Sequence, residues 1–161
     1  ARQRFAVAGS LDRGGRVWAS LLTGPAGFIE PVDPQLLRLA AQPHPADPLA
    51  DNLGARPELG LLVLDPGTRQ RMRFNGRGLL SPEGLFLLVE QAYGNCPKYI
   101  QLRRPEADDE AQEAGQTRVS TTLDPRQGAA IASADTFFIA SVHPGGGADA
   151  SREGEQDEHG R

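Results

Sequence analysis

Apolar residues fall along this chain in short runs, each closed by glycine, proline or aspartate, and the runs predict strands. Residues 5–11 (Phe-Ala-Val-Ala-Gly-Ser-Leu) form the first. Asp-Arg-Gly-Gly over 12–15 turns the chain, because glycine accepts positive φ without steric cost. Residues 16–22 (Arg-Val-Trp-Ala-Ser-Leu-Leu) form a second run, and two runs across a short glycine turn predict a β-hairpin. A turn at 24–27 and a short third strand at 28–31 follow. Asp33 and Pro34 then predict a helix, with Asp33 as cap, Pro34 in the first turn and Leu36, Leu37 and Leu39 as its stripe.

Three prolines within 42–50 make that stretch a loop. Residues 59–64 (Leu-Gly-Leu-Leu-Val-Leu) read as a buried strand, and Asp-Pro-Gly over 65–67 turns the chain. Residues 68–75 return in strict alternation, and Gly-Arg-Gly over 76–78 ends that strand. A further strand over 85–89 runs toward Tyr93. About six strands and one helix before residue 103 predict a mainly β fold with few helices, a small barrel or sandwich.

The pattern changes after residue 102. Residues 103–118 hold no aliphatic or aromatic side chain larger than alanine, so 103–122 reads as an acidic linker. Asp124 is placed to cap a helix from Pro125 to about Ser133, and 136–142 reads as a strand before the glycine turn 145–147. The first hairpin partly recurs here: 5–9 and Gly14-Gly15 match 137–141 and Gly146-Gly147 at an offset of 132, and one gap brings Ser20 to Ser151. Read as a repeat, a barrel over 1–102 is followed over 123–151 by the start of a second, which stops after one strand and a turn. Two unrelated strand-turn segments are the alternative. Leu123, Ile131, Phe137, Phe138 and Ile139 would be costly to leave wet, so the helix and strand are expected to dock on the barrel or on a dimer partner. Residues 152–161 are polar and read as a disordered tail.

Charge supports the division. Residues 1–102 carry a net +2 and residues 103–161 a net −6, within a whole-chain charge of −4 over 161 residues. This balance argues against a nucleic-acid-coating protein. No apolar run approaches the roughly 20 residues of a membrane span, and no signal peptide is visible. The single cysteine, Cys96, cannot close an internal disulfide, so a cytoplasmic setting is expected. No histidine pair has metal-ligand spacing, and no metal is expected.

Three groups carry candidate chemistry. Alternation puts Arg69, Arg71 and Arg73 on one strand face, where guanidinium groups suit a phosphate; a solvated outer face has the same pattern. Arg16, Trp18 and Ser20 share a strand face beside a glycine turn and would suit a flat phosphorylated ligand; a core tryptophan flanked by edge polar residues reads the same way. Cys96 lies near Lys98, which lowers a thiol pKa, although a buried structural thiol also fits. His44 and His143 sit in proline-flanked loops and are assigned no role. No Gly-x-Ser-x-Gly, P-loop or Gly-x-Gly-x-x-Gly element occurs, and no general acid or base stands out.

Several stretches are shared with one family. They are Arg-Val-Trp-Ala-Ser-Leu-Leu-Thr-Gly-Pro-Ala-Gly-Phe over 16–28, Asp-Pro-Leu over 47–49 and Gly-Leu-Leu over 60–62. Thr-Arg-Gln-Arg-Met-Arg-Phe-Asn-Gly over 68–76 and Tyr-Gly-Asn-Cys-Pro-Lys-Tyr-Ile-Gln over 93–101 belong with them. Together they resemble the pyridoxamine 5′-phosphate oxidase-related flavin-nucleotide-binding proteins. Ala-Asp-Thr-Phe-Phe-Ile-Ala-Ser over 134–141 and Gly-Ala-Asp-Ala-Ser over 147–151 resemble that family's second half. The resemblance implies a split β-barrel that binds FMN, usually at a homodimer interface, and an FMN-dependent oxidoreductase. It places Arg16, Val17, Trp18 and Ser20 along the flavin, and Arg71 and Arg73 close to the cofactor. Pyridoxamine phosphate oxidases proper carry Gln-x-Arg where Arg71 and Arg73 stand. The family's second half continues after the position of Ser151 with His-Arg-Gly-Gly, whereas here polar residues follow, so an incomplete second barrel is expected. The alternative is a non-catalytic binding or dimerisation module that keeps the fold without the cofactor.

Overall fold

The computed structural model describes residues 3–94, 100–103, 120–143 and 147–154, the last four as backbone. Strands β1 (Phe5–Leu11) and β2 (Val17–Thr23) form the expected antiparallel hairpin, with Leu11 opposite Val17. Next come β3 (Ile29–Asp33), β4 (Leu36–Leu39), helix α1 (Leu49–Ala55), β5 (Glu58–Asp65), β6 (Gln70–Ser81) and β7 (Gly84–Gly94). Helix α2 (Pro125–Ser133), β8 (Thr136–His143) and β9 (Gly147–Gly154) complete the described elements.

Strands β1 to β7 form one sheet in the order β2-β1-β5-β6-β7-β4-β3, with every pairing antiparallel. Its edge strands β2 and β3 are consecutive in the chain. The six Cα steps from Thr23 to Ile29 reach at most about 22 Å. A flat seven-stranded sheet would hold its edges about 29 Å apart. The sheet must therefore curl, bringing β2 and β3 within that reach although they do not pair. The fold is a mainly β split barrel. Its interior is one apolar cluster fed by both edges: Leu22 of β2, Ile29 of β3, Leu39 of β4, Leu59 and Leu61 of β5 and Leu87 of β7. Leu49 and Leu53 of α1 close it.

Four local readings are corrected. Asp33 and Pro34 open no helix: the Asp33 carboxylate accepts the Gln35 N–H at 2.7 Å in a tight turn, and residues 36–39 pair on both sides as β4. The helix of this region is α1, which begins where the proline-rich loop was expected to end. Gly76 and Gly78 do not end β6. The strand continues to Ser81, and it is β7 that bulges, with Glu90 unpaired between the Asn75–Gln91 and Gly76–Val89 pairs; a Cβ at Gly76 would overlap the Leu88 carbonyl oxygen there. Arg69 lies in the preceding turn at φ 55° and is not on the strand, so Arg71 and Arg73 are the two members of that trio on β6.

Beyond the linker, α2 has its cap as predicted. The Asp124 carboxylate accepts the Gln127 N–H, and the Gln127 side chain accepts the Asp124 N–H in return. The segment does not stop after one strand. Strand β9 pairs with β8 from His143–Gly147 to Thr136–Gly154, so residues 152–154 are strand where a disordered tail was expected. Superposing the two hairpins by register, Leu11–Val17 on His143–Gly147, sets Ser20 against Ala150, one residue short of Ser151.

The β8–β9 hairpin lies on the outer face of the barrel, across β1, β5 and β6. A second small core forms there from Val7, Leu62 and Ala150, with Phe138 packed against it and edge-on to Phe5 at 6.2 Å. Glycine admits the hairpin. A Cβ at Gly60 would run into the Asp149 Cα and the Ala148 carbonyl, and one at Gly9 would stand 2.6 Å from the Asp149 carbonyl oxygen. Helix α2 does not share in this docking. It buries no residue, and Leu123, Ile131, Phe137 and Ile139 remain exposed. Cys96, Lys98, most of the linker and residues 155–161 lie outside the described residues.

Candidate functional site

Alternation along the strands sorts the expected ligand residues onto two faces of the sheet. Trp18 and Ser20 stand opposite Ser10 and Ala8 and look toward α1. Val17 has the opposite parity and lies on the outer face. Arg71 and Arg73 stand opposite Leu64 and Leu62 and share that outer face. Two strands, β1 and β5, lie between β2 and β6, so the two groups are about 14 Å apart along the sheet.

The turn between β1 and β2 is organised by Asp12. Its carboxylate accepts the Arg16 backbone N–H at 2.9 Å, the Arg16 Nε at 2.6 Å and the Trp18 indole N–H at 3.3 Å. The Arg16 backbone N–H does most to hold this carboxyl down, at about 2; burial opposes it, and the Arg16 guanidinium and Trp18 indole reinforce it. A carboxyl lowered in the folded state stabilises the fold above its unfolded value of 3.8, and that contribution is lost as pH falls through about 2. In a carboxyl-detected NMR titration, Asp12 should remain ionised at pH 3. Titration at its ordinary value would show that the turn does not hold in solution.

Arg16 and Trp18 line a groove of about 600 Å3 between this turn and α1. Ser20 does not line it. Ser20 is buried and donates to Asp47 at 2.7 Å, and Asp47 also accepts the Leu49 N–H at the start of α1. The Asn52 amide donates to Ser10 at 3.0 Å. Ser20 and Asn52 thus fasten α1 to the barrel.

The outer face holds the arginines. Arg73 pairs with Asp149 of β9 at 3.4 Å, and its guanidinium lies 5.9 Å from the centre of the Tyr93 ring. The Asn75 amide donates to the Tyr93 hydroxyl at 3.5 Å. Both charged partners are largely shielded from water, which strengthens a charge pair and raises the cost of removing one partner. Arg71, Arg73, Asn75 and Arg77 follow one another at two-residue spacing along this face.

Sequence reasoning missed Asp12, Asn75, Tyr93 and Asp149. Asp12 had a local signal, an aspartate opening a Gly-Gly turn. Asp149 had none, being 76 residues from its partner. His44 Nδ1 accepts the Ala46 N–H within its own loop. No cluster of three metal-ligating side chains occurs among the described residues, and no helix there is long and apolar enough to cross a membrane.

No protein-family model and no curated protein sequence matches the chain. Two solved structures are similar. One is HupZ of Group A Streptococcus, with 12% identity and a TM-score of 0.46 over 56% of this chain and 84% of that one. The other is a histidine-to-alanine variant of HupZ, with 13% identity and a TM-score of 0.45 over 58% of this chain and 92% of that one.

Proposed function

We propose that the chain is an FMN-binding split barrel whose outer face holds the nucleotide phosphate between Arg71 and Arg73. The observation that carries this reading is the setting of Arg73. A largely shielded guanidinium lies near the Tyr93 ring and has a carboxylate, Asp149, placed as an anion would be. Two guanidinium groups on one strand face, with the Tyr93 hydroxyl beside them, form a donor set that fits a phosphate. When bound, the flavin supplies the redox chemistry of an oxidoreductase, and this chain's residues bind and orient it. Val17 shares the face. Arg16 and Trp18 do not, so their expected place along the ring requires a partner subunit. A homodimer supplies one, and the exposed Val17, Leu21 and Val32 on edge strands β2 and β3 suit such an interface. Light scattering should therefore give a dimer at micromolar concentration.

The ion pair also favours a second reading, a binding or dimerisation module without cofactor, in which Asp149 is the permanent counter-ion of Arg73. FMN titration followed by absorbance separates the two. If the phosphate sits here, Arg71→Ala and Arg73→Ala each weaken binding about tenfold or more, the worth of a charge-assisted hydrogen bond. Asp149→Asn, which removes the competing carboxylate, should tighten it. Failure of both the native chain and the Asp149→Asn variant to bind FMN establishes the cofactor-free module.

A further inference from the structure

Strand β7 bulges at Glu90, opposite Asn75 and Gly76 of β6, and a cavity of about 410 Å3 lies there against the first residue of β9. Arg56, Glu58, Arg77 and Glu90 lie around it. Glu58 and Arg77 are opposite one another across β5 and β6. None of the four forms an ion pair with a described residue. The formal charges of these four side chains cancel.

Two acceptors here have no donor among the described residues. Asn75 is 7% exposed, and its amide nitrogen is used on Tyr93. Its Oδ1 is shielded from water and has no hydrogen-bond donor among the described residues. The same is true of Glu58 Oε2. Buried acceptors are normally satisfied, and leaving them unsatisfied costs free energy. Turned toward the cavity that their residues line, the two oxygens would accept N–H donors from a ligand and lose that cost.

We propose that this cavity binds a zwitterionic amino carboxylate of free α-amino-acid size. Its ammonium group faces Glu58 and Asn75, and its carboxylate faces Arg77 and Arg56. A ligand with only a positive pole would meet two arginines, and one with only a negative pole would meet two glutamates. A bipolar ligand suits a wall whose charges cancel, and arginine is well shaped to hold a carboxylate through paired hydrogen bonds. The volume lies within the usual range of small-molecule sites. The site uses neither Arg71 nor Arg73, so it stands or falls apart from the phosphate reading.

The test is calorimetric titration of the full chain with each standard α-amino acid at up to about 10 mM, a range that resolves millimolar affinity. Simple alkylamines and acetate serve as one-pole controls. At least one amino acid should bind more tightly than either control, and Glu58→Gln and Arg77→Ala should each weaken it about tenfold or more. Circular dichroism checks folding, and Arg56→Ala, an exposed position beside α1, replaces any variant that does not fold. The proposal is overturned if no amino acid binds, if an amine alone binds as tightly, or if the folded variants bind like the native chain.

Discussion

Placing a side chain at Gly60 is expected to drive the β8–β9 hairpin off the barrel. The new Cβ would meet the Asp149 Cα and the Ala148 carbonyl, both backbone, so neither can turn aside as a side chain would. Gly60 faces outward beside Leu62, away from the barrel interior, so the inner core should survive. Undocking would expose Val7, Leu62, Ala148 and Ala150, of which Val7 and Leu62 alone contribute about 3–6 kcal/mol at about 1.5–3 kcal/mol per large buried side chain. Hydrogen exchange on Gly60→Val should show β8 and β9 unprotected while β5 and β7 keep their protection. Native protection of β8 and β9 would mean that the glycine is not what admits the hairpin.

The second large effect lies inside the barrel. Leu61 is fully buried at the centre of β5, among side chains contributed by β2, β4, β7 and α1. Leu61→Ala removes those contacts and leaves a cavity that a closed β wall collapses poorly. A loss of about 2–5 kcal/mol is expected in urea unfolding. Leu79, 67% exposed on β6, is the control, and Leu79→Ala should change stability by no more than about 0.5 kcal/mol. Equal effects at the two leucines would place the core elsewhere.

Elements whose signals are local could be read from the sequence. The β1–β2 hairpin follows from two apolar runs and a glycine turn. Helix α2 follows from Asp124 and Pro125, and Gln127 completes the reciprocal cap. Asp33-Pro34 shows where local signals stop deciding. An aspartate that can cap a helix can equally close a two-residue turn. The choice is made by β7, about fifty residues away, which offers β4 a full row of partners. Gly76 reads as a strand end because a glycine opposite a bulge and a glycine at a break look alike until the partner strand is known.

The candidate site divides in the same way. Alternation put Arg71 and Arg73 on one face, and they are found there. It also put Trp18 and Ser20 on one face, correctly, but could not show that Ser20 is spent on Asp47. Which residues meet Arg73 depends on register beyond a bulge, for Tyr93, and on a hairpin 76 residues away, for Asp149. Neither relation has a periodic trace in the sequence.

The most direct measurement is a crystal structure of the full chain grown with FMN. The account predicts the phosphate on the outer face, its oxygens about 2.7–2.9 Å from the guanidinium nitrogens of both Arg71 and Arg73, with the Asp149 carboxylate turned away. A phosphate bound in the groove beside Trp18, or an outer face that keeps the Arg73–Asp149 pair at saturating FMN, would contradict it.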